Sequence, residues 1–233
     1  MGSALPSSLQ TDCRFIKCIP TVGLSTSLIQ MSLMTEPGSM NKRAARGQAT
    51  RNQLIAVATG LFAAHGYEDT SIEEVLAAAG VSRGALYHHF AGKDALFEAV
   101  VESVEAGITA KLLAATRDAG DAVATLRVAA LGWIEMARDP VIQRIILLDA
   151  PSVLGVARWH DPDQQQALAS MRVILQAVSD EGRLAPELIT AFAHMILGAI
   201  DEMAMVVALS EDPDAALADG QTAVEEFLRR LLL

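Results

Sequence analysis

Apolar residues recur every three to four positions over most of the chain from about residue 47 onwards. This spacing places them on one face of an α-helix, whereas a half-buried strand would alternate apolar and polar residues. No alternating pattern persists, and no unit repeats at a fixed period. Hydrophobic residues make up 52% of the chain and aromatic residues only 4%, which favours helices over sheets. The pattern therefore predicts an all-α protein.

The first two predicted helices are delimited by glycine and by capping residues. The first spans about 47–65, and Gly66 ends it as a C-terminal cap. A short linker, "YEDT", follows. Either Thr70 or Ser71 caps the second helix, because acidic residues follow three positions later, as in a capping box. The second helix is expected to bury Ile72, Val75, Leu76 and Ala79.

A tight turn and a short helix come next. Gly80 stops the second helix, "VS" forms the turn, and Ser82 caps a third helix that runs to His89. A long fourth helix begins at about Lys93. The buried face of this fourth helix is expected to contain Leu96, Phe97, Val100 and Val104.

Further amphipathic helices are predicted beyond residue 106. They span about 121–138, 162–181, 186–208 and 214–231. Asp139-Pro140 ends the first of these, and a short, very apolar run follows at 141–148. The stretch "DAPSVLG" (149–155) is expected to be a loop.

Residues 1–40 are rich in Ser, Thr, Gly and Pro and show no helical period, so they are predicted to form a disordered leader. Met31, Met34 and Met40 are alternative starts, and we assign the leader no function. The two cysteines, at positions 13 and 18, cannot crosslink the rest of the chain or complete a Cys-rich zinc site, which favours a reducing cytoplasm. The apolar stretch 15–34 is interrupted by charged and helix-breaking residues and falls short of a membrane span.

Charge is distributed unevenly along the chain. The net charge of −10 argues against a protein that coats nucleic acid or an anionic membrane over its whole surface. Residues 41–67, however, contain four basic residues and no acidic one, whereas residues 106–233 carry ten basic and eighteen acidic residues. The basic residues of the first stretch are Lys42, Arg43, Arg46 and Arg51.

The second helix, the "VS" turn and the third helix together make a helix-turn-helix, whose second helix can lie in a DNA major groove. The segment "TSIEEVLAAAGVSRGALYHHFAGKDALFEAVV" resembles the DNA-binding domain of the tetracycline-repressor (TetR) family, and its "LYxHF..K..L" ending is shared by few other folds. The resemblance covers roughly a quarter of the chain, from about 48 to 101. It implies a helix-turn-helix DNA-binding domain at 41–92 and a helical effector-binding and dimerisation domain at 93–233.

The resemblance also implies roles for individual residues. Tyr87 and Lys93 would hold DNA phosphates, which suits a phenol hydroxyl and an ammonium at a helix N-terminus. Arg83 can contact guanine with two hydrogen bonds, and Gly84 allows close approach. The residues expected to contact DNA are Arg46, Ser71, Ser82, Arg83, Gly84, Ala85, Tyr87, His88 and Lys93. His89, with Leu86 and Phe90, would instead point inward.

Three other interpretations were weighed. A metal site on a helix wants ligands at i and i+4, whereas His88 and His89 are adjacent and diverge by about 100°. An enzyme would need a nucleophile with a base, a paired carboxylate site or a metal cluster, and the chain has no Gly-x-Ser-x-Gly, phosphate-binding glycine loop or His-Glu-x-x-His. A helical adaptor would share the acidic body but not the "LYxHF..K..L" ending. We therefore predict neither a metal nor another cofactor.

For the C-terminal domain at 93–233, which we call the body, the resemblance implies a small-molecule pocket and a dimer interface. The pocket candidates are Trp133, Met136, Arg144, Asp149, Trp159, Met171, Arg172, His194 and Met203. Asp149 has the alternative of capping the turn after it, and His194 that of a satisfied core histidine. The dimer candidates on the last two helices are Phe192, Met195, Ala199, Val224, Phe227 and Leu228; the alternative is that they fill the chain's own core.

These expectations combine into one functional prediction. The chain would be a cytoplasmic homodimeric transcription factor, a repressor that binds a palindromic double-stranded operator and is released by a small-molecule effector, without membrane association. Release requires only that the effector bind two states with different affinity.

Overall fold

The structure is a computed structural model that describes residues 40–155 and 166–232. Within these ranges every regular element is a helix, which confirms the all-α prediction. The chain comprises two compact units, residues 1–46 and 47–233. The predicted leader lies outside the described residues except for Met40, where the first helix begins. The division at residue 92 between DNA-binding domain and body stays a prediction, since residues 47–92 and the body belong to the same unit.

Nine α-helices are present in the described part of the chain. They are α1 (Met40–Asp69), α2 (Ile72–Ala79), α3 (Arg83–His89), α4 (Lys93–Ala115), α5 (Ala122–Met136), α6 (Ala150–Leu154), α7 (Gln166–Asp180), α8 (Ile189–Leu209) and α9 (Pro213–Leu232). A π-helical segment, Ile142–Asp149, leads directly into α6, and a 3₁₀ turn, Pro186–Leu188, leads into α8.

Two of these elements differ from the sequence prediction. The first helix is longer at both ends: it starts at Met40, and after a non-helical break at Gly66 (φ 82°, ψ 170°) the chain resumes helical geometry through Asp69, where a linker was predicted. The predicted loop 149–155 instead contains α6. Pro151 lies in its first turn, where the N–H that proline lacks is not needed for a hydrogen bond within the helix. Gly155, with φ 82°, follows the end of α6.

A first hydrophobic cluster joins α1–α4 to the π-helical segment. Phe62 and Phe97 are fully buried and meet edge to face, with ring centroids 5.1 Å apart. Leu86 anchors α3 in the same cluster and is also fully buried, and Ile145 reaches it from the π-helical segment. The helix-turn-helix therefore shares its core with part of the body.

A second cluster holds α5, α7, α8 and α9 together. Trp133 is half-buried and packs against this cluster, against the first, and against a small third cluster around Ala137. Val224 and Leu228 are only 3% and 1% exposed and belong to the second cluster. Their prediction as dimer contacts is therefore corrected: the chain's own core covers them.

Candidate nucleic-acid interface

A capping box begins the helix-turn-helix. The Ser71 hydroxyl accepts a hydrogen bond from the Glu74 backbone N–H (3.2 Å), and the Glu74 carboxylate accepts one from the Ser71 backbone N–H (2.7 Å). The Ser71 backbone N–H and hydroxyl both donate to the Glu74 carboxylate, which lowers the pKa of Glu74 below its ordinary value. Of the two caps left open by the sequence, the structure selects Ser71; Thr70 is 1% exposed and donates to the Gly66 carbonyl (2.8 Å).

The turn between α2 and α3 has the conformation that its sequence demands. Gly80 is left-handed (φ 66°, ψ 28°) and its N–H donates to the Leu76 carbonyl. The Ser82 hydroxyl then accepts a hydrogen bond from the Ala85 N–H (3.2 Å) and caps α3, as predicted. A side-chain bond from Gln53 to the Ala79 carbonyl (2.8 Å) ties α1 to the end of α2. The capped turn thus fixes the start of α3 relative to α2, and α2 is in turn tied to α1.

One face of α3 is open to solvent in this chain. Ser82, Arg83, Gly84, Tyr87 and His88 are exposed, and Ala85 is half-buried. Tyr87 keeps 47% of its surface exposed, unusual for a large aromatic side chain. A Cβ atom added to Gly84 would have no neighbour within 4 Å. These are the residues that the sequence predicts to contact DNA, and that role stays a prediction.

The two adjacent histidines occupy different environments. His88 is exposed, whereas His89 is half-buried and lies beside Phe90, with ring centroids 6.3 Å apart, and close to Gly47 of α1. Within the described ranges, no group of three or more His, Cys, Asp or Glu side chains is placed to hold a metal ion.

The structure gives Arg83 a partner that sequence reasoning missed. Its guanidinium forms an ion pair with the carboxylate of Glu73 on α2, and the two side chains are 59% and 62% exposed. The pair joins the first turns of α2 and α3. A separation of ten residues across a turn follows no helical spacing, so no local pattern indicates it.

Lys93 is held by the end of α1. Its ammonium lies 4.2 Å from the centroid of the Tyr67 ring and donates to the Glu68 carbonyl (3.2 Å), and the residue is half-buried. The Tyr67 hydroxyl donates to Asp94, and burial together with that carboxylate raises the pKa of Tyr67. Lys93 therefore has a bracing role in this structure, and its predicted phosphate contact is not tested by it.

Two further predicted contacts have different surroundings. Arg46 is exposed on α1. The Ser71 hydroxyl is engaged in the capping box, so its first role is structural. Arg51, from the same basic stretch as Arg46, lies over the Phe90 ring at 5.3 Å and braces the end of α3.

Arg144 and Asp149 were predicted as pocket residues, and the structure uses them differently. The Tyr67 N–H donates to the Asp149 carboxylate (2.8 Å), and the Arg144 Nε donates to the same oxygen (3.2 Å). The Arg144 guanidinium fills the space beside Gly66: a Cβ there would lie 1.8 Å from Nη2. We call these four residues the α1 bridge, because they join the π-helical segment to α1. The predicted contact of Arg144 and Asp149 with an effector stays a prediction.

The other predicted pocket residues are dispersed. Trp133 donates from Nε1 to Asp201 (2.9 Å), and Met203 packs against Gly220 of α9. His194 is exposed on α8, so it is not a core histidine, and its contact with an effector stays a prediction. Met136 is half-buried against the first cluster. Met171 is 6% exposed in the second cluster. Arg172 buries its Nε without a hydrogen-bond partner within the described part of the chain, and Trp159 lies outside that part.

A surface cavity of about 230 Å³ lies elsewhere in the body. Its lining contains none of the predicted pocket residues. The lining consists of Ala137, Arg138, Gln143, Val207, Ala208, Pro213 and Asp214.

The capped turn, the exposed face of α3 and the support from α1 define a helix-turn-helix DNA-binding protein. Comparison with known proteins agrees with this class. Residues 54–100 match the family model described as bacterial regulatory proteins, tetR family, and residues 123–231 match the tetracyclin repressor-like C-terminal domain. The chain belongs to the TetR family and is a transcriptional regulator with a DNA-binding domain.

Individual relatives match over different lengths. The HTH-type transcriptional regulator AcrR of Shigella flexneri is 44% identical over 61 residues, 26% of this chain and 28% of that protein. The nucleoid occlusion factor SlmA of Haemophilus ducreyi is 30% identical over 170 residues, 67% of this chain and 83% of that protein. A TetR-family transcriptional regulator from Pectobacterium atrosepticum superimposes with a TM-score of 0.70 at 39% identity, covering 81% of this chain and 97% of that one.

Proposed function

We propose that this regulator is a homodimeric, ligand-responsive repressor that reads a palindromic operator with α3. The observation that carries the proposal is the exposed face of α3, which presents a guanidinium, a phenol and an imidazole beside a bare glycine backbone. Arg83 would contact guanine, Tyr87 a phosphate, and His88 a base edge or phosphate. Two half-sites require two copies of α3, so a dimer is part of the proposal.

The exposed side of α8 supports the dimer. Leu188 in the preceding turn, Met195, Val206 and Leu209 are 41%, 62%, 46% and 61% exposed, and their spacing places them on one face. Phe192 and Ala199 are half-buried on α8 and Phe227 is half-buried on α9, so these predicted contacts remain available to a partner. Glu202 lies on the same face, between Met195 and Val206, so the stripe is apolar apart from this carboxylate. An exposed apolar patch with polar residues beside it is typical of a protein interface.

A membrane is the other environment that could cover α8. The segment Pro186–Leu209 is long and apolar enough to span one, with a mean hydropathy of 1.7. However, Asp201 and Glu202 are exposed near its middle, where a charged side chain is costly in a bilayer. A second copy of the chain is therefore the occupant that we propose.

The ligand response rests on the C-terminal family match and on the contact between the body and the DNA-binding helices. Among the predicted effector contacts, Trp133 packs against all three clusters. The α1 bridge connects the body to the end of α1. An effector changes DNA affinity only if it binds the DNA-binding conformation and the released conformation of the protein with different affinities.

The test is a gel-shift titration on a duplex enriched by the parent protein from a randomised library. Arg83→Ala should weaken binding by about tenfold or more, because a bidentate guanine contact contributes about 1–3 kcal/mol. Tyr87→Phe should weaken it by a similar factor through loss of a hydrogen bond to a charged phosphate. Arg127→Ala, an exposed arginine that pairs with Glu225 on the body, is the matched control. If both α3 variants bind like the parent, the assignment of α3 is wrong.

A further inference from the structure

The Glu73–Arg83 ion pair lies on the surface that would face DNA. Both side chains are more than half exposed, and Arg83 is the first residue of α3. A carboxylate is repelled by DNA phosphates, so at this place it weakens binding unless it contributes something else. The role of the Glu73 carboxylate given below rests on the function proposed above.

The two acidic residues at the start of α2, Glu73 and Glu74, have different partners. Glu74 is consumed by the capping box, where its carboxylate accepts from the Ser71 N–H and hydroxyl. Glu73 is one residue earlier and points to α3, where it meets the Arg83 Nη2. Since the box fixes the first turn of α2 and Ser82 fixes the start of α3, both ends of the pair sit on capped helix termini.

We propose that Glu73 is a specificity-determining positioning residue that acts through Arg83. A guanidinium has five N–H donors, so one bond to Glu73 leaves a two-donor fork for the O6 and N7 atoms of guanine. An unpaired arginine would bind any nearby phosphate equally well. With Glu73 beside it, a phosphate contact by Arg83 brings two anions together, whereas a guanine edge is uncharged. Glu73 thereby suppresses the use of Arg83 as a phosphate clamp and retains its use as a base reader.

The experiment compares the enriched duplex with a scrambled duplex of equal length by fluorescence anisotropy over a salt series. Glu73→Gln keeps the shape of the side chain and removes its charge. It should tighten binding to the scrambled duplex by about three- to tenfold and binding to the enriched duplex by less, so the specificity ratio falls. The salt slope on the scrambled duplex should steepen by about one, because Arg83 becomes free to neutralise one phosphate.

Two controls separate this role from a general charge effect. Glu68→Gln removes the same charge from an exposed residue at the end of α1. It should change binding to the two duplexes equally. In the Arg83→Ala background, Glu73→Gln should no longer change the specificity ratio. An equal shift on both duplexes for Glu73→Gln, or an undiminished ratio change in the Arg83→Ala background, would overturn the proposal. A parent protein that bound both duplexes equally would instead overturn the proposed function, and the role of Glu73 with it.

Discussion

Gly84 is the residue at which fold stability and DNA binding make opposite demands. It lies in the first turn of α3, and a Cβ added there meets no neighbouring atom of the chain. Glycine is the poorest helix former apart from proline, by up to about 1 kcal/mol relative to alanine. The only evident use for a bare backbone here is close approach by another molecule.

Gly84→Ala should therefore leave the free energy of unfolding unchanged or raise it by up to about 1 kcal/mol, while weakening binding to the enriched duplex several-fold. Urea denaturation and fluorescence anisotropy measure the two effects on the same samples. An alanine variant that is more stable and binds with parental affinity would show that α3 does not approach DNA at this position.

Ser71 is predicted from the structure to act first on stability. Ser71→Ala should lower the free energy of unfolding by about 1 kcal/mol through loss of the N-cap, and Ser71→Asn should restore most of it.

Because the pKa of Glu74 is depressed in the folded chain, the contribution of its carboxylate to stability is present above the ordinary pKa of glutamate and is lost as the pH falls below it. The difference in stability between the parent and Glu74→Gln should thus shrink in acid. A difference that does not depend on pH would contradict this role of the carboxylate.

At this scale, capping and turn rules predicted the features that depend on residues close in sequence. The Ser82 cap and the end of α2 at Gly80 follow from short-range geometry and are present. The different burial of His88 and His89 agrees with what the family resemblance implied. The partners of Arg83 and Lys93 could not be predicted, because Glu73, Tyr67 and Glu68 reach them from other helices.

At the scale of elements, the α1 bridge depends on a single carboxylate. Asp149 accepts hydrogen bonds from the Tyr67 N–H and from Arg144 and is only 14% exposed at its side chain. Its removal leaves both donors without this acceptor. An unsatisfied buried donor costs about 1–3 kcal/mol.

Asp149→Ala should consequently lower the free energy of unfolding by about 1–3 kcal/mol, and Asp149→Asn, which keeps an acceptor, should lower it by less. Thermal or urea denaturation checks the order. Asp118→Ala, at an exposed position after α4, serves as the control and should be close to neutral. Equal loss for the alanine and asparagine variants would indicate that charge, not the hydrogen bonds, stabilises the bridge.

The same bridge explains which elements the sequence did not predict. The existence of the helices follows from apolar periodicity, and most ends follow from caps. The stretch 149–155 was expected to be a loop, yet it contains α6, which includes Pro151 and ends before Gly155. The carboxylate of Asp149 is fixed by a backbone N–H 82 residues earlier, which no local window contains.

At the scale of the whole molecule, the two faces of α8 differ in burial. Ala193, Ile196 and Ile200 fill the chain's own core, whereas Met195 is 62% exposed. Periodicity alone could not separate the two faces, since nearly every position of α8 is apolar or small.

Met195→Glu should shift the protein from dimer to monomer in sedimentation equilibrium, because it places a charge in the proposed interface. Binding to the enriched duplex should fall in parallel. Leu113→Glu is the matched control, since Leu113 is 55% exposed on α4, away from the proposed interface. A Met195→Glu variant that remained dimeric would place the interface elsewhere.

Selection of duplexes from a randomised library by the parent protein tests whether a symmetric dimer reads DNA sequence. We expect enrichment of an inverted repeat whose half-site centres are about 10 base pairs apart or a multiple of that distance. Recovery of duplexes with no shared sequence would contradict it.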